Sequence, residues 1–146
     1  MLVRPPRGQV GHLAPADVTT YRSPSAVPAP TGTTIVAAAR MFLGVRYLWG
    51  GTSAFDLDCS GLLELTYRAH GTAIPRDADA QAAAGTPVSR AALRPGDLIF
   101  YGHPVSHVAL YTGGSMMIEA PNSAAWVWVT PLRSDGYAGA RRYGRT

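Results

Sequence analysis

The sequence contains no lysine: all 13 of its basic residues are arginine, against nine acidic ones, for a net charge of +4. Those arginines are scattered from Arg4 to Arg145 and form no basic run, so a nucleic-acid partner is not expected. Cysteine is nearly absent. With Cys59 alone, no internal disulfide exists and the fold stands on packing. No apolar stretch approaches the ~18 residues of a membrane span. The opening Met-Leu-Val-Arg-Pro-Pro-Arg also lacks the apolar run of a signal peptide. Either the chain stays inside, or a leader has been removed ahead of it. His103 and His107 share H-x-x-x-H spacing, but Pro104 lies between them and no C-x-x-C accompanies them, so neither a zinc site nor another metal is expected.

What is present describes a globular domain. Hydrophobic residues make up 47% and charged ones 15% of 146 residues, enough for one buried core. Six of the 12 prolines fall within residues 1–30, and residues 1–31 therefore read as an extended arm or linker. Residues 32–146 read as the domain proper. Thr33 is a candidate N-cap for a helix through Ile35, Val36, Ala39, Phe42 and Leu43 that ends by Gly44. A glycine-rich aromatic loop, Arg46 to Thr52, follows. A second helix is expected from Cys59 to His70, stopped by Gly71, and a short third one from an Asp77 cap to Gly85. The apolar period then changes to two, with strands expected at 98–102, 106–112, 115–120, 126–130 and 139–143. Helices followed by a run of strands predict an α+β domain with an antiparallel sheet.

Asp56-Leu-Asp-Cys-Ser-Gly-Leu62 places the sole thiol where a loop becomes a helix. Helix N-termini carry unpaired N–H groups and a partial positive charge, which favour a thiolate. Asp58 opposes that effect unless its side chain points elsewhere. A nucleophile needs a base, and His107, opening Ser106-His-Val-Ala-Leu-Tyr111, is the candidate. Glu119 is a carboxylate out of place in Met116-Met-Ile-Glu-Ala120 and is the candidate for orienting the imidazole. The turn between these strands leaves two registers open. A two-residue Gly113-Gly114 loop sets His107 against Ala120 and Glu119 on the far face. A three-residue Thr112-Gly113-Gly114 loop sets His107 directly opposite Glu119, with Cβ atoms about 4.5–5.5 Å apart.

Tyr47-Leu-Trp-Gly-Gly-Thr52, Asp58-Cys-Ser-Gly-Leu62, Pro75-Arg76, Pro95-Gly-Asp-Leu98 and Ser106-His-Val-Ala-Leu-Tyr111 occur in the order found in the NlpC-type cell-wall peptidases, and over residues 33–143 the chain resembles that family. The resemblance implies a papain-like α+β core with the cysteine helix packed on the sheet. It also implies a cysteine peptidase that needs no cofactor, with Cys59 as nucleophile, His107 as base and Glu119 as third residue. The family more often has His there; Glu is similar to a variant of some actinobacterial cell-wall hydrolases. The implied partner is peptidoglycan, cut between D-isoglutamate and a diamino acid, commonly meso-diaminopimelate, by a monomeric enzyme that is secreted or wall-associated.

By the same resemblance Tyr47 borders the catalytic pocket, and Asp58 and Ser60 meet the polar end of the stem peptide. Ser106 joins them as a substrate-binding candidate. Alternatives stay open for three residues. Tyr47 is otherwise ordinary packing, Asp58 a helix cap, and Arg76 either an ion-pair partner or a contact for a substrate carboxylate. Trp126 and Trp128 alternate with valines and belong to core or rim. The approach to the thiol, Ala54-Phe-Asp-Leu-Asp58, departs from the family's common glycine-phenylalanine form. Two further expectations remain. The competing reading of the chain is a catalytically silent peptidoglycan-binding domain. The arm, anchored by Tyr21, is expected to lie along the domain and partly shield Cys59.

Overall fold

Thr31, not Thr33, caps the first helix. In the computed structural model, which describes residues 2–3, 11–12, 14–23, 26 and 28–144, helix α1 spans Gly32–Arg40. Thr34 N–H donates to Thr31 Oγ1 at 3.2 Å, and Thr31 N–H donates to Thr34 Oγ1 at 3.0 Å, a reciprocal capping box. Two residues C-terminal to the cap, Thr33 lies inside the first turn. Gly32 begins the helix because nothing larger fits: a Cβ there would sit 1.7 Å from the Pro95 carbonyl oxygen. The Pro95-Gly-Asp97 motif is thus a backbone seat for α1.

Strands β3 (Arg46–Tyr47) and β4 (Asp56–Leu57) pair in parallel and tie off the aromatic loop between them. Helix α2 (Cys59–Arg68) follows at once, burying Leu62, Leu63, Thr66 and Tyr67. Helix α3 (Ala78–Ala83) is shorter than expected, and Asp77 holds its N-cap position without a side-chain hydrogen bond. Gln81, fully buried, instead anchors α3: its Nε2 donates to the carbonyls of Ser60, at 3.1 Å, and Pro75, at 2.8 Å.

The remaining strands are β5 (Thr86–Pro87), β6 (Leu98–Tyr101), β7 (His107–Gly113), β8 (Met116–Glu119), β9 (Trp128–Pro131) and β10 (Tyr137–Arg142). They form one antiparallel sheet in the order β5-β10-β6-β7-β8-β9. Helices α1 and α2 pack over β7, where Leu98, Phe100, Val108, Leu110 and Ile118 meet Leu62, Leu63 and Tyr67. The alternate residues Ile99, Tyr101, Ala109 and Met117 are also buried, under Leu93, Leu132 and Tyr137. Covering both faces explains why the central strands carry nearly continuous buried runs in place of the expected alternation. The architecture is a papain-like α+β fold, as expected. Trp126 and Trp128 face outward on the rim, 51% and 44% exposed, while Val127 is buried between them.

The hairpin that positions the site follows neither expected register. Its loop is Gly114-Ser115, both at positive φ, with Gly113 paired to Met116. A bulge at Thr112 then shifts the ladder, so that Tyr111 pairs with Met117 and Leu110 with Ile118. Continuing that register sets Ala109 opposite Glu119 and His107 two residues along, on the same face. The bulge restores the facing that a plain two-residue loop would have reversed.

Of the arm, β1 (Leu2–Val3) pairs with β2 (Gly11–His12), and a 3-10 turn covers Pro15–Asp17. Residues 1, 4–10, 13, 24–25 and 27 lie outside the described residues. Tyr21 is 46% exposed.

The two glycine motifs are likewise packed backbone to backbone. A Cβ on Gly61 would lie 2.1 Å from the Gly51 carbonyl oxygen, a backbone atom with no freedom to rotate away. Gly61→Ala is therefore expected to destabilise the domain by about 1–3 kcal/mol, although alanine is the better helix former. Thermal unfolding measures it; an unchanged Tm would mean that the loop yields.

Candidate active site

Asp58 organises the head of α2. Its Oδ1 accepts from Gly61 N–H at 2.7 Å as the N-cap, and its Oδ2 accepts from Gly50 N–H at 2.9 Å. The Arg76 guanidinium then grips both oxygens, Nη1 to Oδ1 at 3.0 Å and Nη2 to Oδ2 at 2.6 Å, and donates to Ser60 Oγ at 2.8 Å. Burial acts against the Asp58 charge, but Arg76 and the two backbone donors outweigh it and hold the carboxyl below its ordinary range. Asp58 thus serves as the cap and Arg76 as its ion-pair partner, while both side chains also line the cleft above Cys59. The charge beside the thiol is thereby compensated.

Cys59 is the first residue of α2 and is 9% exposed. Gly61 N–H is spent on Asp58, and among the described residues the N–H groups of Cys59 and Ser60 have no partner, which leaves them as the first-turn donors. Above them opens a cleft of about 520 Å³, lined by Tyr47, Trp49, Asp58, Ser60, Arg76 and Ser106, among others. Every substrate-binding candidate thus lies on one cleft, with Ser106 at its exposed rim. No described residue of the arm lines it. Burial, then the nearby Cys59 and Asp58, push the Tyr47 hydroxyl up from its ordinary value, so it remains a proton donor.

His107 enters from β7. Its Nε2 lies 2.7 Å from Glu119 Oε2, which leaves Nδ1 as the ring nitrogen for Cys59. Burial disfavours the imidazolium, but hydrogen bonds with Cys59 and Glu119 prevail and push its pKa up to about 9. Glu119 itself is buried, with 1% side-chain exposure. Besides His107 it accepts from Thr130 Oγ1 at 2.7 Å and from both Arg133 terminal nitrogens, Nη1 at 2.6 Å and Nη2 at 2.8 Å. Burial raises its pKa, yet His107, Arg133 and Thr130 bring it down to about 2. The carboxylate stays ionised and cannot take the imidazole proton at neutral pH.

Arg133 and Thr130 carry roles that sequence reasoning missed. Arg133 lies beyond β9 and is held from its other side, 4.7 Å over the Tyr101 ring, which in turn neighbours the His107 ring. Only Thr130, on the outward phase of β9, left a faint signal as a polar residue on a strand flanked by Val129 and Pro131.

A cysteine at a helix head, an imidazole on the adjoining sheet and a buried carboxylate behind it define the class of site found in papain-like peptidases. The sequence model of the NlpC/P60 family matches residues 44–142, and the chain belongs to that family. It is 42% identical over 147 aligned residues to a Bacillus cereus protein named gamma-D-glutamyl-L-lysine dipeptidyl-peptidase, an alignment spanning 94% of this chain and 44% of that protein. The crystal structure of a Bacillus cereus NlpC/P60 family protein superposes with a TM-score of 0.88 at 41% identity, over 97% of this chain and 50% of that one. The peptidoglycan hydrolase RipB of Mycobacterium tuberculosis superposes with a TM-score of 0.70 at 35% identity, over 76% and 63%. The chain therefore spans about half the length of its Bacillus relatives.

The carboxylate's low pKa has a definite sign. Glu119 stabilises the folded state above its ordinary value of 4.5, and that contribution is lost as pH falls toward about 2. Arg133→Met removes two of its donors, so acid unfolding should begin at higher pH. The loss at neutral pH should be about 1–2 kcal/mol, moderated because Arg133 is 41% exposed. Circular dichroism across pH 2–7 measures both; an unmoved acid transition would mean that His107 and Thr130 suffice.

Proposed function

We propose that this chain is the catalytic domain of a peptidoglycan hydrolase acting on the cell wall, a cysteine endopeptidase that cuts the stem peptide after its γ-D-glutamyl residue, before the diamino acid. The observation that carries this reading is the alignment of Cys59 at the head of α2 with His107 and the ionised Glu119. The names of the relatives support the γ-D-glutamyl bond.

The chemistry follows from the groups in place. The Cys59 thiolate attacks the amide carbonyl, and the new oxyanion meets the Cys59 N–H and the protonated Tyr47 hydroxyl at the cleft wall. His107, holding its proton at neutral pH, gives it to the leaving amine as the C–N bond breaks. A thioester remains. Neutral His107 then takes a proton from water, which attacks the thioester carbonyl and expels the thiolate, restoring the imidazolium. Asp58, Ser60 and Arg76 form the arm of the cleft that holds the γ-glutamyl side of the substrate, with Ser106 at its edge.

Cys59→Ala should lose at least about 10³-fold in release of fragments from purified sacculi, with thermal stability close to that of the parent. His107→Ala should be comparably inactive, and Glu119→Gln slowed but active, since it orients the base and does not react. Mass analysis of the released fragments identifies the bond. Hydrolysis persisting in Cys59→Ala would sink the thioester mechanism, and binding of stem peptide without turnover by the parent chain would favour a silent binding domain.

A further inference from the structure

Beside the catalytic cleft lies a second groove, of about 510 Å³, lined chiefly by Arg46, Leu48, Trp49, Phe55 and Asp56. Tyr47 and Trp49 belong to the walls of both, so the groove continues the cleft past Cys59. It is unusual in two ways. Its apolar side chains are laid open to solvent: Trp49 is 83% exposed, Phe55 88% and Leu48 53%. Its two charges are also unmatched. Arg46 and Asp56 are register partners on β3 and β4, yet among the described residues neither makes an ion pair with the other or with anything else. Around the active site the pattern is the opposite, with Asp58 paired to Arg76 and Glu119 to Arg133.

A groove with ring faces along its length and one free charge of each sign suits a ligand with an aliphatic stem and a zwitterionic head. The aliphatic part lies over Trp49 and Phe55, the ammonium meets Asp56 and the aromatic faces, and the carboxylate meets Arg46. A neutral sugar would use the rings and leave both charges unanswered. In the function proposed above, on which this inference rests, the γ-glutamyl side occupies the arm of Asp58, Ser60 and Arg76. The diamino acid is then left to cross Tyr47 and Trp49 into this groove.

We propose that the Arg46–Asp56 groove binds the free amino-acid end of the diamino acid's side chain, and so selects meso-diaminopimelate stems over lysine stems. Lysine offers only the ammonium. Diaminopimelate amidated at its distal carboxyl likewise lacks the partner for Arg46.

Three tripeptides, L-Ala-γ-D-Glu followed by meso-diaminopimelate, its distal amide or L-lysine, separate the possibilities. The parent chain should favour the first over the other two by roughly tenfold in kcat/KM, carried mostly in KM. Arg46→Gln should collapse that ratio toward one, whereas Arg68→Gln, whose side chain pairs with Glu64 away from the groove, should preserve it. Asp56→Asn should weaken all three peptides. Titration of the meso-diaminopimelate and lysine tripeptides into the inactive Cys59→Ala variant supplies a readout independent of turnover, and the preference should vanish when Arg46→Gln is added. A parent chain that cuts all three alike, or a ratio unmoved by Arg46→Gln, overturns this inference while leaving the peptidase reading intact. A parent that cuts none of them overturns both. An affinity gain for disaccharide-linked stems lost on Trp49→Ala but not on Arg46→Gln would give the groove to the glycan and overturn the proposal.

Discussion

The Asp58 carboxylate is the interaction on which the geometry of this domain depends. One side chain caps α2, fixes the Gly50 loop through its N–H and holds Arg76 in a two-point grip. Each of those partners comes from a different stretch of chain, so their mutual arrangement is set at a single buried point. The close approach of Gly61 to Gly51 adds the steric half of the same joint. Cys59 follows Asp58 directly, and its position is inherited from this joint more than from any contact of the thiol itself. A nucleophile placed by a rigid, charge-compensated cap needs little rearrangement to react.

A second buried carboxylate does the equivalent work on the sheet side. Glu119 ends β8 and draws in His107, Thr130 and Arg133 from three further segments. Arg133 closes the arrangement by bridging this carboxylate to the Tyr101 ring. Asp97 repeats the device away from the site, joining Arg142 to the turn that seats α1. In each case the acid is nearly inaccessible and its arginine reaches solvent. That arrangement satisfies a buried charge without burying the whole guanidinium. It also gives a reason why a lysine-free chain works here, since only the planar fork makes both bonds of such a pair at once.

Much of the site was legible in the sequence because its signals are local. A thiol followed by Ser and Gly at a loop-to-helix boundary, an Asp before it, and a histidine opening an apolar strand all carry their physics within a few residues. The strands from Leu98 to Arg142 were read to within about two residues because short apolar runs bounded by turn residues are themselves a local pattern. The failures are equally instructive. Thr33 and Thr31 are chemically equal caps, and the choice was made by Gly32 fitting against the Pro95 carbonyl, 63 positions away. Arg76 had two chemically reasonable partners, and only the fold brought Asp58 within reach of its guanidinium.

The sequence by itself determined the α+β order of elements, the identity of the nucleophile and base, and the out-of-place acid on β8, because each is written in short-range pattern and residue chemistry. Whether that acid faced the histidine was decided only in three dimensions. Register has a period of two, so a single extra residue reverses it, and the bulge at Thr112 is a response to packing on both faces of the sheet. The same holds for Arg133 on Glu119 and for the unmatched pair Arg46 and Asp56. Charges find or miss their partners across tens of residues, and no local pattern records the distance between them.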